Sequence, residues 1–192
     1  MKKYLGTLLA GVTLMAVLPI AAQAADDDQN KSTTADITLE QDTENSAITL
    51  DSAPNIHMGT QENTHATKTY EAESIDGNLQ VTNPGNTTGW NVTVARTAFE
   101  TTTGTEMKGA QLNLTNGKVA AVDSENTSTF PATENLEVTT VATKVLTAQT
   151  NEGIGAFTLT HDADNVSLKV PAGTVSGAYK STLTWSLTNA PS

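Results

Sequence analysis

The chain is 192 residues long, carries no cysteine, and sets 21 acidic against 10 basic side chains for a formal charge of -11. Without cysteine there is no disulfide framework, thiolate metal site, cysteine nucleophile or N-terminal lipid-anchoring cysteine. Ten scattered basic residues do not build the cationic surface that phosphate neutralisation demands, which excludes a nucleic-acid binder. The 35 threonines point instead to strands, because β-branched side chains fit a pleated surface better than a helix.

The chain opens on Met1-Lys2-Lys3, continues through an uncharged, mostly apolar run from Leu5 to Ile20, and reaches Ala22-Gln23-Ala24. A cationic start, a short apolar stretch and a small-x-small site make a secretory signal peptide over 1–24, removed after Ala24. The run is short of the roughly 20 residues a membrane-spanning helix needs, and Asp26-Asp27-Asp28 follows directly. Cleavage leaves 8 basic against 21 acidic side chains, a formal -13 over 168 residues. No later apolar run is long enough to span a bilayer, and no sortase signal closes the chain, so attachment to a cell is expected to be non-covalent. With no disulfide available, a secreted chain of this size must hold itself together by its own core.

Residues 25–44 read as a polar leader or first strand, with Ile37-Thr38-Leu39 its one alternating patch. From residue 45 onward a single theme recurs: short alternating segments separated by Gly, Asn, Asp and Pro. Short patches at 47–50 and 54–59 come first, the latter placing Ile56 and Met58 on one face. A strand is expected over 67–74, closed by Ile75-Asp76-Gly77-Asn78, and Leu79 and Val81 alternate before Asn83-Pro84-Gly85-Asn86. Trp90, Val92 and Val94 share one face, and Ala110, Leu112 and Leu114 repeat the pattern up to Asn116-Gly117. That dipeptide is the strongest short hairpin signal, with 119–122 as the returning strand. Residues 123–134 read as a polar loop. Over 136–148 the period is ambiguous, and a short helix over part of 141–148 stays open beside a strand. Phe157 and Leu159, then Val166, Leu168 and Val170, alternate again. The last segment sets Tyr179, Leu183, Trp185 and Leu187 on one parity against Lys180, Thr182, Thr184, Ser186 and Thr188 on the other. The sum is an all-β, antiparallel, two-layer β-sandwich-like domain over 45–192.

Both tryptophans open a Trp-x-aliphatic triplet: Trp90-Asn91-Val92 within Gly89-Trp90-Asn91-Val92-Thr93-Val94, and Trp185-Ser186-Leu187 near the end of the chain. Around them stand Pro54-Asn55-Ile56-His57-Met58-Gly59, Leu79-Gln80-Val81-Thr82-Asn83, Gly109-Ala110-Gln111-Leu112-Asn113-Leu114 and Val166-Ser167-Leu168-Lys169-Val170-Pro171. In this order the set resembles the WxL-domain family of Gram-positive surface proteins over residues 45–192, as a small single-domain member. Val92 departs from the pattern by standing where the family's name-giving leucine is usual. The resemblance implies a protein without enzymatic activity or cofactor, secreted and held non-covalently at the bacterial cell wall, with peptidoglycan or another wall glycan as ligand. It also implies an alternative: a subunit of an extracellular complex with a membrane-anchored protein or larger WxL proteins. The candidate contact residues are Trp90, Asn91, Val92, Trp185, Ser186 and Leu187.

Two readings of the tryptophans stay open at this point. Same-face aliphatic partners two residues on suit rings buried in a sandwich core, whereas a flat aromatic in a surface groove stacks on sugars or anchors a partner. The shared spacing predicts that the two motifs are neighbours in space. His57, His65 and His161 are isolated, and no Gly-x-Ser-x-Gly or His-Glu-x-x-His occurs. Asp162-Ala163-Asp164-Asn165 lacks the glycine and distal glutamate of a calcium loop and reads as a solvated turn.

Overall fold

The computed structural model describes residues 32–40 and 46–189; the expected signal peptide and most of the leader lie outside them. Residues 32–40 adopt no regular structure and are exposed, Ile37 and Leu39 included. Every strand falls within the compact unit Leu39–Ser192.

In chain order the strands are β1 (Thr49–Ser52), β2 (Asn55–His57), β3 (Lys68–Glu71), β4 (Ser74–Asp76), β5 (Leu79–Asn83), β6 (Trp90–Arg96) and β7 (Gln111–Leu114). They continue with β8 (Lys118–Ala121), β9 (Ala132–Thr133), β10 (Leu136–Val138), β11 (Thr143–Ala148), β12 (Gly155–Thr160), β13 (Val166–Val170) and β14 (Leu183–Thr188). All pairings among the described residues are antiparallel. They give three four-stranded sheets, ordered β1-β5-β12-β8, β10-β7-β13-β3 and β14-β6-β11-β9, and a ribbon of β2 with β4. The all-β, sandwich-like architecture expected from the alternation is what forms. Its strands are dealt into three sheets around one shared core instead of two equal layers.

Alternation explains which residues enter that core. Leu79 and Val81 of β5, Trp90, Val92 and Val94 of β6, Leu112 and Leu114 of β7, and Val166 and Leu168 of β13 are all buried. Successive side chains of a strand point to opposite faces, so each of these pairs and triplets fills one side of its sheet.

Two expectations are corrected. The ambiguous stretch 141–148 is strand from Thr143 onward, not helix: β11 pairs with β6 and β9 and carries a bulge between Lys144 and Leu146. That extra residue shifts the parity midway and buries both Val145 and Leu146, which is why neither a clean strand nor a clean helix period is visible. The single helical turn among the described residues is Ala163–Asn165, inside the expected solvated turn.

The second correction concerns Asn116-Gly117. β7 and β8 do not form a hairpin; they belong to different sheets, and the dipeptide turns the chain from one to the other. Side chains replace the missing hairpin ladder: Asn116 N–H donates to Asn135 Oδ1 at 2.8 Å and Asn116 Nδ2 to Asn165 Oδ1 at 2.7 Å. A Cβ on Gly117 would lie 2.8 Å from Leu159 Cδ1, so the glycine is there for the close approach of β12.

Candidate functional site

The two Trp-x-aliphatic triplets lie side by side. β14 pairs with β6 along its whole length, so Trp185 faces Val94, Ser186 faces Thr93 and Leu187 faces Val92. On the other flank of β6, Leu146 of β11 stands opposite Val92 and Ala148 opposite Trp90. Residues opposed across an antiparallel pair share a face, which places Trp90, Val92, Leu146, Trp185 and Leu187 on the same side of one sheet.

Their exposure differs sharply. Trp90 and Val92 are 0% exposed and Asn91 is buried at 3%. The indole Nε1–H of Trp90 donates to Gly153 O at 3.1 Å, giving the buried ring its one required polar partner. Gly153 sits at φ +61, and a Cβ there would come within 2.9 Å of the indole, so ring and loop are fitted to each other. Val92 meets Leu146 and Leu187 across its two strand neighbours, an interior site in which the shorter side chain is accommodated. Trp185 and Leu187 are half-buried at the sheet edge, and Ser186 is exposed on the outward face with Thr184 and Thr188.

Trp185 also lines a groove of ≈ 1150 Å³ between β2 and the stretch 179–185 that leads into β14. Ile56, Met58, Phe99 and Leu183 line it with Trp185, while Glu73, Asp76 and Lys180 bring charge to it and His57 an imidazole. His57 Nε2 stands 3.2 Å from Asp76 Oδ2. A smaller recess of ≈ 280 Å³ shares Met58, Phe99 and Tyr179 and extends toward Tyr70 and Met107.

Phe99 is held by a feature that sequence reading missed. Arg96, the one arginine of the chain, donates from Nε to Val138 O at 2.7 Å, from Nη2 to Ala110 O at 2.6 Å and from Nη1 to Thr97 O at 3.1 Å. Its guanidinium carbon lies 5.2 Å from the centre of the Phe99 ring. Three carbonyl dipoles and an aromatic face thus solvate a half-buried cation, joining β6 to β10 and to Ala110, the residue before β7, beside the groove that Phe99 lines. The signal in the sequence was an arginine ending the apolar run Val92-Thr93-Val94-Ala95, where a charge needs a partner.

Burial decides the remaining histidine chemistry. His161 Nε2 is buried and has no hydrogen-bond partner; burial holds its pKa below the ordinary value, against a weaker upward pull from Asp162. Asp162 itself pairs with Lys118. Among the described residues no group of three or more His, Asp or Glu is placed to hold a metal ion.

A model of the WxL domain, described as surface cell wall-binding, matches residues 17–191. This chain belongs to the WxL domain family. No curated protein and no solved structure matches it. As a WxL protein it is a non-enzymatic member of a cell-wall-associated surface family. The WxL motifs that name the family form one unit here, the first inside the sheet and the second along its edge.

Proposed function

We propose that this protein attaches itself non-covalently to the cell wall by binding peptidoglycan, through the second motif, Trp185-Ser186-Leu187. The first motif supports the second: Trp90, Asn91 and Val92 act from the interior by fixing the strand against which β14 lies. One observation carries the reading. Of the six motif residues, only those of β14 reach the surface, and there Ser186 stands between Thr184 and Thr188 in an exposed row of hydroxyls. Hydroxyls that both donate and accept suit the hydroxyl- and amide-rich surface of a wall glycan.

Charge supports a contact of this kind. A chain of formal charge -11 is repelled by anionic wall polymers, so attachment by simple ion exchange is disfavoured. The test is co-sedimentation of the purified protein with peptidoglycan sacculi stripped of teichoic acid, in low and high salt. Saturable binding that survives high salt and falls in the combined Thr184→Ala, Ser186→Ala, Thr188→Ala variant supports the reading. Failure of the wild type to sediment refutes it. A second reading, a subunit of an extracellular protein complex, is favoured by the outer edge of β14, which pairs with no strand among the described residues.

A further inference from the structure

We propose that the edge of β14 takes up an extended, cationic strand of a partner protein, which lies in the groove between β2 and the stretch 179–185 and continues the sheet. The inference rests on the second reading above and names its partner chemistry. It uses the edge of β14, whereas wall attachment uses its outward face.

The direction of the backbone is the first support. Thr97 N–H donates to Thr182 O at 2.9 Å, and Glu100 and Lys180 exchange N–H···O bonds of 3.0 and 2.8 Å. In an antiparallel pair, bonded and non-bonded positions alternate. Lys180, Thr182, Thr184 and Ser186 therefore turn their backbone groups toward β6 and the segment that follows it. Ser181, Leu183 and Trp185 turn theirs the other way, and no strand of the described residues pairs with them, although β1 passes near β14.

The groove is the second. Every residue from 179 to 183 lines it on one side, and every residue from 53 to 59 on the other. A strand that offers a face contributes every second residue, because its side chains alternate. The run 179–183 enters β14 only at Leu183, and beyond it Trp185 lines the groove without Thr184, so the segment leading into β14 turns its edge toward the gap while β14 adds the side chains of Leu183 and Trp185. Among the described residues β2 pairs with β4 alone, so its second edge has no strand partner there. A strand laid between them finds backbone partners on both sides, with Met58, Phe99 and Trp185 beneath for alternate side chains.

Charge selects the occupant. Glu73 and Asp76 face the groove against Lys180, within a chain of formal charge -11. A second copy would bring the same acidic surface, and the chain's own leader would bring Asp26-Asp27-Asp28; both are repelled. An alternating strand of apolar and Lys or Arg residues satisfies backbone, floor and rim together.

The probe is a short blocked peptide alternating lysine and valine, with a glutamate–valine twin and a copy N-methylated along its backbone. Amide hydrogen exchange of the purified protein is followed residue by residue. In the protein alone, Leu183 and Trp185 N–H should exchange freely while Thr184 N–H is protected. The lysine peptide should slow exchange at Leu183 and Trp185 by about tenfold or more, and its two controls should not. Ser181→Pro removes an outward N–H together with the side-chain bond from Ser181 Oγ to Thr97 O, whereas Ser181→Ala removes only the latter; the proline variant should weaken the lysine peptide about tenfold and the alanine variant should not. Each of the following overturns the proposal: prior protection of Leu183 and Trp185, no binding of the lysine peptide, equal binding of the N-methylated peptide, or protection by soluble glycan fragments in place of peptide. Capture of a partner protein from cell-envelope extracts by wild type and Ser181→Pro alike would sustain the complex-subunit reading while removing this edge from it. Sacculus binding by Ser181→Pro reports on wall attachment separately.

Discussion

Replacing Trp90 by alanine tests the division of labour between the two motifs. The ring is 0% exposed, and an indole buries about 200 Å². At about 25 cal/mol per Å², its transfer from water is worth about 5 kcal/mol as an upper estimate, in keeping with the roughly 3–5 kcal/mol measured when large aromatics are truncated in cores. Loss of the bond to Gly153 O adds about 1 kcal/mol. Trp90→Ala should therefore cost about 4–5 kcal/mol, a large fraction of the stability of a domain this size. Trp185 keeps part of its surface in water at the sheet edge and, among the described residues, has no buried indole bond like that of Trp90 to Gly153, so its replacement by alanine should cost less, by about 1 kcal/mol or more. Urea denaturation followed by far-ultraviolet circular dichroism measures both. Because only two tryptophans exist, fluorescence assigns them independently: in Trp185→Phe the remaining indole should emit at short wavelength and resist acrylamide, and in Trp90→Phe it should be quenched. Equal destabilisation by the two alanine variants, or free quenching of Trp90, would refute the reasoning.

Three further outcomes follow from the same packing. Arg96→Met should destabilise the domain by about 3 kcal/mol, since Val138 O and Ala110 O lose charged donors and Phe99 loses its cation; chemical denaturation measures it, and a change below about 0.5 kcal/mol would contradict the clamp. Gly153→Ala forces a side chain into φ +61 and against both Ala148 and the Trp90 ring, and should cost at least about 2 kcal/mol by the same assay. His161 has a native pKa held down by burial, so the folded state binds fewer protons than the unfolded one. Its contribution is complete above the unfolded value of about 6.5 and is lost as pH falls from there through the lower native pKa. Denaturation midpoints of wild type and His161→Leu should diverge in slope across that window, and parallel pH profiles would exclude the effect.

Legibility followed the clean alternation. Trp90-Asn91-Val92-Thr93-Val94 and Leu183-Thr184-Trp185-Ser186-Leu187 show their period in the letters, and both are strands. β9 was hidden in a stretch read as loop because two residues carry no period, and the bulge at Val145 scrambled β11 by changing parity halfway. Asn116-Gly117 gave the right local event, a sharp turn, and the wrong partner. Turn chemistry specifies how the chain bends, while the neighbour of the next strand is chosen by burial elsewhere in the domain. The candidate site was legible as six residues and illegible as a surface: identical Trp-x-aliphatic spacing describes a buried ring in β6 and a half-buried one in β14.

Local patterning alone therefore determined the all-β class, most of the strands and the family resemblance, because the backbone fixes side-chain alternation within a few residues. Tertiary structure decided which sheet each strand joined, that β6 is flanked on both sides while β14 is an edge, and that Phe99 closes a groove under the guidance of Arg96. Those outcomes depend on contacts between segments far apart in the chain, such as Arg96 with Val138 or Trp90 with Gly153. Their energies reside in pairings that no single segment contains.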